Sequence, residues 1–350
     1  MIWKPESEVA AMRRIAFDKI GELFAAIAAR ASLYLPVDTD KGAEFAKWSE
    51  GVTLSDACNT TRGIKDFFFP QSEDLMKFKM AGKKIEIIDT RSEHEDFVIF
   101  GARACDVRAM DALDHVFLGE PVDTYYKNRR DHGVILSLAC SRPVETCFCG
   151  TFDIDAANPA GDIVCHRAHG FLYLDAKTDK GAALLETLND LTVECGEEIV
   201  AEEKALIRAR LKRLPLASLT KDAFGAGKTE QYFDAPEWKA LSEACLGCGT
   251  CTFVCPTCQC YDIRDFKTND GVVRYRCWDS CMYSEFTKMS AGQPRLTQVE
   301  RFRQRFMHKL VYFPERYGMF SCVGCGRCLA KCPIRMHIAK VMKKLGGDVK

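Results

Sequence analysis

The first 235 residues alternate between short apolar runs and segments with helical spacing. Four runs have the length and composition of β-strands: residues 85–88, 97–100, 134–138 and 171–174. Amphipathic helical spacing occurs at residues 107–117, 181–191 and 202–214, and a further helix is expected over residues 9–27, after Pro5. Strands that alternate with helices favour an α/β or α+β domain with a partly parallel sheet.

A second region follows a stretch without hydrophobic periodicity. Residues 218–235 are punctuated by glycine, which is typical of a linker. Seven of the 19 cysteines precede this stretch, and the other twelve lie between Cys245 and Cys332. We therefore predict two domains: residues 1–235 form the α/β domain, and residues 236–350 form a mainly α-helical, cysteine-rich domain.

Composition and charge narrow the class of protein. The 49 Lys and Arg residues balance 49 Asp and Glu residues, so no global field favours a nucleic-acid partner. No apolar stretch approaches the roughly 20 residues that span a bilayer, and the N-terminus lacks the residue order of a signal peptide. We expect a cytoplasmic protein without membrane insertion. In that reducing compartment, 19 cysteines indicate metal binding rather than disulfides.

Two matching cysteine motifs carry the strongest chemical signal. They are Cys245-Leu-Gly-Cys248-Gly-Thr-Cys251-Thr-Phe-Val-Cys255-Pro256 and Cys322-Val-Gly-Cys325-Gly-Arg-Cys328-Leu-Ala-Lys-Cys332-Pro333. Both have the ferredoxin spacing for [4Fe–4S] clusters, in which the fourth cysteine of each motif ligates the other cluster. The predicted ligands are Cys245, Cys248, Cys251 and Cys332 for cluster 1, and Cys322, Cys325, Cys328 and Cys255 for cluster 2. The alternative is zinc, which usually uses isolated C-x2-C pairs.

The segment between the two motifs is long for a ferredoxin-type domain. Residues 256–321 read as an insertion, and they contain four further cysteines: Cys258, Cys260, Cys277 and Cys281. These four form an alternative set of metal ligands. Residues 299–313 predict a basic amphipathic helix, which is either a docking face for an acidic partner or a solvated face that covers the clusters.

A third ligand set is predicted in the α/β domain. Cys105 follows the strand at residues 97–100, and Cys140 ends the strand at residues 134–138. If these strands are neighbours, both cysteines lie at one sheet edge, where open α/β sheets place their sites. Cys147 and Cys149 follow closely, so Cys105, Cys140, Cys147 and Cys149 form a candidate third [4Fe–4S] site. The alternative is buried structural thiols.

The remaining cysteines have no such pattern. Cys58, Cys165 and Cys195 are scattered, and a structural role is expected for each. Cys165, His166 and His169 form a possible ligand trio, but no fourth ligand is near in the sequence. A surface turn is the favoured interpretation of that segment.

Several separated strings resemble a family of iron–sulfur electron-transfer proteins that includes the 4Fe-4S dicluster component of anaerobic sulfite reductase and the sulfhydrogenase β subunit. The strings extend along nearly the whole chain: Lys65-Asp66-Phe67-Phe68-Phe69-Pro70-Gln71-Ser72-Glu73, Gly101-Ala102-Arg103-Ala104-Cys105-Asp106, Cys147-Phe148-Cys149-Gly150, Cys255-Pro256-Thr257-Cys258-Gln259-Cys260, Trp278-Asp279-Ser280-Cys281 and the Cys322–Pro333 motif. The resemblance implies a non-catalytic protein that relays electrons between a diaphorase-type subunit, which binds FAD and NAD(P)H, and a catalytic or bifurcating subunit. It also favours the third cluster.

The absence of catalytic and nucleotide-binding motifs from the sequence agrees with an electron-relay function. The sequence has no convincing dinucleotide fingerprint, phosphate-binding loop or nucleophile elbow. With every cluster iron held by cysteine, none is left open for substrate. The predicted function is therefore one-electron transfer within a multi-subunit oxidoreductase. The alternative is a reductase subunit whose α/β domain itself binds a flavin or a substrate.

Overall fold

A computed structural model describes residues 11–92 and 95–347 of the chain. Its strands are β1 (Arg13–Ala16), β2 (Ser32–Thr39), β3 (Gly42–Lys47), β4 (Ser72–Ala81), β5 (Lys84–Asp89), β6 (Phe97–Ala102), β7 (Gly133–Leu138), β8 (Ile163–Ala168), β9 (Phe171–Ala176), β10 (Val193–Glu194), β11 (Tyr261–Lys267) and β12 (Gly271–Trp278). Its helices are α1 (Ile20–Ala28), α2 (Lys65–Phe68), α3 (Ala104–Phe117), α4 (Thr124–His132), α5 (Asp179–Glu186), α6 (Ala201–Leu211), α7 (Thr229–Phe233), α8 (Glu237–Glu243), α9 (Thr250–Phe253), α10 (Gln298–Met307), α11 (Phe313–Tyr317), α12 (Arg327–Lys331) and α13 (Ile338–Gly346).

A mixed sheet of eight strands organises the N-terminal part. The strand order is β10-β1-β9-β8-β7-β6-β2-β3. The four strands β2, β6, β7 and β8 are parallel, and the outer pairs are antiparallel. The sheet confirms the α/β class, and it makes β6 and β7 parallel neighbours. Their carboxyl ends therefore lie at one edge, from which the chain continues toward Cys105 and Cys140.

Helices cover both faces of this sheet because the central strands are apolar on both sides. Val98 and Phe100 of β6 pack with α1 and α5, whereas Phe97 and Ile99 pack with α2 and α3. Every residue of β6 is buried. Such a continuous apolar run is the pattern expected of a parallel strand that is covered on both faces.

A second, antiparallel sheet combines strands from the two predicted domains. Its order is β11-β12-β4-β5, so strands at residues 72–89 and 261–278 belong to one sheet. The hairpin β11–β12 lies within the segment 256–321, which shows that the C-terminal part is not simply helical. Its turn, Thr268-Asn269-Asp270-Gly271, has the composition of a hairpin turn. The sheet crosses the predicted domain boundary at residue 235.

The C-terminal core consists mainly of helices. Trp238 and Leu241 of α8 pack with Phe302 and Phe306 of α10 and with α13. After α10 the chain makes a π-helical turn at His308–Tyr312 and continues directly into α11. Two aromatic residues of the N-terminal part, Phe148 and Phe152, are buried in the same core. The loop that carries Cys147 and Cys149 is therefore fixed against the C-terminal part.

Most of the predicted strands and helices are present in the structure. The predicted strands correspond to β5, β6, β7 and β9, and the predicted helices to α3, α5 and α6. The helix expected over residues 9–27 agrees with the structure from Ile20 onward, where α1 begins, and is wrong at Arg13–Ala16, which form β1. Its first position, Val9, and the preceding Pro5 lie outside the described residues. β1 pairs with β9, so tertiary pairing outweighs the helical spacing there. The predicted linker contains α7.

The expected surface turn around Cys165 is also wrong. Cys165 and His166 are part of β8 and are completely buried. Nε2 of His166 lies 3.0 Å from the carbonyl oxygen of Ala157. Only His169 lies in an exposed turn, with a φ of 50°. The apolar residues Ile163 and Val164 indicate the strand, but the cysteine and histidine that follow obscure it.

Candidate metal centre

The two cysteine motifs fold as a structural repeat. In each motif the third cysteine lies in a short helix, α9 or α12. The matching glycines Gly249 and Gly326 precede these helices with φ values of 74° and 76°. Gly247 and Gly324 are also left-handed, at 65° and 58°. Glycine adopts this conformation without steric cost, so the sequence repeat encodes the same loop twice.

The predicted ligands of cluster 1 line a single cavity. Cys245, Cys248, Cys251 and Cys332 border it together with Arg305. The backbone N–H of Gly247 donates a hydrogen bond to the Cys245 sulfur at 3.5 Å. The structure therefore brings the last cysteine of the second motif to the first three of the first motif.

The predicted ligands of cluster 2 form an adjacent buried set. Cys255 interacts electrostatically with Cys322, Cys325 and Cys328. The backbone N–H groups of Gly324 and Arg327 interact with the sulfurs of Cys322 and Cys325 and oppose the rise in pKa that burial causes. Burial raises the pKa of the Cys322 thiol to about 12, against the opposing field of Lys309. A bound metal would overcome this cost, because a coordinating thiol is deprotonated.

Two buried cations lie among these sulfurs. Burial alone would lower the pKa of Arg305, but the fields of Cys251, Cys328, Cys258 and Cys255 raise it. The pKa of Lys309 is likewise raised, by Cys255, Cys258 and Cys322. Neither cation has an acidic partner among the described residues, and Nε of Arg305 is buried without a hydrogen-bond partner.

These cations provide a test of whether iron–sulfur clusters fit. An unpaired buried charge is costly, so the two cations require negative charge from another source. Thiolate-ligated [4Fe–4S] clusters carry net negative charge and sulfide acceptors. Within the described residues, no three His, Cys, Asp or Glu side chains come together closely enough to hold a single metal ion. A cubane spreads its thiolates around a larger body, and the two sets fit that group.

Two basic side chains of the helix predicted at residues 299–313 are buried inside the protein. Arg305 and Lys309 are only 3% exposed and face the cysteines. Nζ of Lys309 donates to Oγ1 of Thr257 at 2.8 Å and to the carbonyl of Ser321 at 3.1 Å. Their role is therefore at the clusters, and they are not part of an external docking face.

The N-terminal cysteines gather at the carboxyl edge of the large sheet. Cys140 and Cys149 pack in one buried cluster with Cys58. Cys147 lies beside this cluster, because its side chain also interacts with Cys58. Cys105 lies in the first turn of α3 and packs with Val323 and Cys325 instead. Burial raises the pKa of the Cys149 thiol to about 11. Cys58, which sequence analysis assigned a structural role, thus lies among the predicted ligands.

The second motif is in direct backbone contact with this N-terminal group. The N–H of Phe148 donates to the carbonyl of Gly324 at 2.8 Å. A Cβ on Gly324 would lie 2.4 Å from the Phe148 carbonyl oxygen, so glycine is required for the close approach. The Asn59 side-chain N–H lies 3.6 Å from the Cys147 sulfur and 3.0 Å from the Cys325 carbonyl oxygen. No sequence motif indicated Asn59.

Three cysteines of the alternative set, Cys258, Cys260 and Cys281, are linked by their interactions, whereas Cys277 lies apart from them. Cys258 contacts Cys255, and Cys260 contacts Cys281. Cys277 lies on β12, where its charged neighbours are Arg264, Asp262 and Asp279. Cys195 is half-buried, and its sulfur lies 3.6 Å from the Met12 carbonyl.

A polar cavity of about 600 Å³ opens at the same sheet edge as the N-terminal cysteines. Its lining includes the basic residues Arg103, Arg142, Arg167 and Arg210. Arg167 and Arg142 both approach Asp56, at 2.7 Å and 3.7 Å. The cavity could take a small anionic molecule.

Comparison with known proteins agrees with this geometry. The 4Fe-4S dicluster domain family matches residues 244–336, a range that includes both cysteine motifs and the segment between them. Sulfhydrogenase 2 subunit beta of Pyrococcus furiosus is 34% identical over 280 residues, which cover 79% of this chain and 81% of that protein. None of the helices in the described residues is long and apolar enough to cross a membrane. The family resemblance seen in the sequence is confirmed: the chain belongs to the sulfhydrogenase β-subunit family.

Proposed function

We propose that this protein is the electron-relay component of a multi-subunit oxidoreductase. The observation that carries the proposal is the pair of adjacent four-cysteine sets, which surround the buried cations Arg305 and Lys309. Bound [4Fe–4S] clusters supply one-electron redox chemistry. The relative's designation as a β subunit supports assembly with other subunits.

The chain's own residues set the conditions for this chemistry. Arg305 and Lys309 stabilise negative charge in a buried region, and backbone N–H groups donate to the cysteine sulfurs. Both influences favour the reduced, more negative state and raise the reduction potential. Helices α10 and α13 and their aromatic core exclude water from one side of the two sets.

The two ends of the electron path lie on partner subunits. The proposed donor is an FAD- and NAD(P)H-binding diaphorase-type subunit, and the proposed acceptor is a catalytic or bifurcating subunit. Residues 236–350 would hold clusters 1 and 2, and residues 1–235 a third [4Fe–4S] cluster. The proposed compartment is the cytoplasm, since none of the 19 cysteines is in a disulfide.

The cavity at the sheet edge supports a second candidate function. Its four arginines could bind a flavin phosphate or an anionic substrate, which would make the N-terminal part catalytic. The isolated chain would then bind flavin or oxidise NAD(P)H with a dye acceptor. The relay proposal predicts iron–sulfur absorbance with neither property.

The deciding experiment is a metal count on anaerobically purified chain together with a partner assay. The relay requires about eight irons and eight acid-labile sulfides for two clusters, or about twelve for three. EPR spectra of the dithionite-reduced chain should show interacting [4Fe–4S] signals. Addition of a diaphorase subunit with NAD(P)H should then reduce them, and a colourless zinc-containing chain would overturn the proposal.

A further inference from the structure

Cys58 is in direct contact with two of the N-terminal cysteines. It lies on the loop between β3 and α2, far from them in the sequence. Its side chain packs against Cys140, and Cys140 and Cys147 are the two side chains with which it interacts most strongly. Cys149 packs in the same buried cluster as Cys58 and Cys140. All four cysteines are buried.

Cys105 occupies a different place. It belongs to the core cluster that contains Val323 and Cys325, on the side of the second cysteine motif. Its electrostatic neighbours are Asp106 first, then Arg327, Cys325 and Cys149. Cys140 and Cys147 also have Cys105 among their electrostatic neighbours, but for each of them Cys58 acts first and through a side-chain contact. The fold therefore offers five thiols for four coordination positions, and Cys105 is the one that packs with the second cysteine motif.

A buried cation supports a negatively charged group at this place. The Arg103 guanidinium donates to the carbonyl oxygens of Cys58 at 2.8 Å, Ala139 at 3.0 Å and Ala57 at 3.1 Å. It is 7% exposed and has no ion pair among the residues that the structure describes. A buried charge that meets only carbonyl oxygens is incompletely compensated. Four thiolates around a cluster would supply the missing negative charge beside it.

Arg103 also explains how Cys58 reaches the sheet edge. Its hydrogen bonds connect the loop at residues 57–58 to the end of β7 at residue 139, just before Cys140. Asn59, the next residue, reaches the Cys147 sulfur at 3.6 Å. The β3–α2 loop is thus fixed at both sides of Cys58.

The geometry points to a third [4Fe–4S] cluster ligated by Cys58, Cys140, Cys147 and Cys149, with Cys105 outside the ligand set. This inference rests on the proposed relay function and specifies its N-terminal site. The Asn59 amide, which also donates to the Cys325 carbonyl, connects this site to cluster 2. The third cluster thereby has a direct neighbour for electron exchange.

The test compares two cysteine substitutions in the full chain, reconstituted anaerobically. Cys58→Ala should lower the iron content from about twelve to about eight per chain and remove one EPR signal. The matched variant Cys105→Ala should keep about twelve irons and all signals. Cys140→Ala should reproduce the loss seen with Cys58→Ala. The remaining EPR signals of clusters 1 and 2 report that each variant is folded.

Cys58→Ser provides a second readout that does not depend on complete loss. A serine ligand changes the g-values and the potential of the cluster it holds, so Cys58→Ser should alter the third signal while Cys105→Ser leaves it unchanged. The inference is overturned if Cys105→Ala loses about four irons while Cys58→Ala keeps them. It is also overturned if the unaltered chain holds about eight irons, a result that leaves the two-cluster relay intact. Absence of all iron–sulfur signals would instead overturn the relay itself.

Discussion

The guanidinium of Arg327 lies 2.6 Å from the carboxylate of Asp106, and the two side chains are 2% and 1% exposed. The pair joins the second cysteine motif to the first turn of α3, and Arg327 also donates to the Thr60 carbonyl at 2.8 Å. Arg327 is therefore buried where the second cysteine motif meets the N-terminal part of the chain.

Replacement of Arg327 by methionine should destabilise the protein strongly. Arg327→Met leaves the buried Asp106 carboxylate without its partner, and loss of one partner of a buried ion pair costs about 3–5 kcal/mol. Anaerobic urea unfolding measures this change. The control is Arg108→Met on the same helix as Asp106, because the pair of Arg108 with Asp111 is about 40% exposed and contributes less than about 1 kcal/mol. Equal losses for the two variants would contradict the prediction.

Removal of the Lys309 charge should lower the reduction potential of cluster 2. The ammonium lies beside Cys255 and Cys322 and stabilises the reduced cluster, which carries one more negative charge. With an effective dielectric constant of about 20, one nearby charge changes the potential by on the order of 100 mV. Potentiometric titration followed by EPR should show this decrease for Lys309→Met.

Two further variants separate charge from position in that experiment. Arg303→Gln removes a charge from α10, one turn before the π-helical turn that carries Lys309. Arg303 is partly exposed, lies near Asp234 and donates to the Phe233 carbonyl, so the potential should change little. Lys309→Arg keeps the charge and should retain most of the potential. If Lys309→Met and Arg303→Gln shift the reduction potential of cluster 2 equally, the buried position of the lysine charge does not increase its effect on the cluster.

The parts of this fold that sequence analysis anticipated are those with local patterns. The ferredoxin motifs place three thiolates within seven residues, so their loop geometry is set by neighbouring residues. The apolar strands β6 and β7 are continuous runs, and their pairing placed Cys140 at the correct sheet edge. In these cases the sequence pattern and the tertiary structure require the same thing.

The parts that could not be anticipated depend on distant partners. Cys58 lies in a loop without periodicity, and the hydrogen bonds of Arg103 and Asn59 hold it beside Cys140 and Cys147. The hairpin β11–β12 alternates apolar and charged residues, but most of β11 is exposed, and the hairpin is stabilised by pairing with β4, nearly 200 residues earlier in the chain. Arg305 and Lys309 have the spacing of a surface face, and their burial follows from where the cysteine sets lie.

Gly324→Ala should disrupt the contact between the two cysteine loops. An added Cβ would lie 2.4 Å from the Phe148 carbonyl oxygen, and the residue has a φ of 58°. Gly247→Ala at the matching position of the first motif has the same left-handed strain, but its nearest contact is 3.7 Å away. The difference between the unfolding midpoints of the two variants therefore measures only the steric conflict between the added Cβ and Phe148. We expect Gly324→Ala to be the less stable by about 1–3 kcal/mol, as for overpacked cores. Equal midpoints would show that the loops adjust freely.

Stability should decrease at mildly acidic pH because of His166. Burial lowers the pKa of this histidine in the folded chain, so the unfolded chain binds the proton more readily. Protonation then favours unfolding, and the contribution of the neutral side chain is lost as the pH falls below the unfolded value of about 6.5. Its Nε2 contact with the Ala157 carbonyl opposes this shift in pKa but does not cancel it. The measurement is the unfolding midpoint between about pH 7.5 and pH 5.5. His166→Gln should make the dependence shallower but not abolish it, because burial also lowers the pKa values of His308 and His337. His169→Asn should leave the dependence unchanged, since His169 is exposed and asparagine accepts its left-handed backbone. A dependence that remains unchanged in His166→Gln would assign it to other groups.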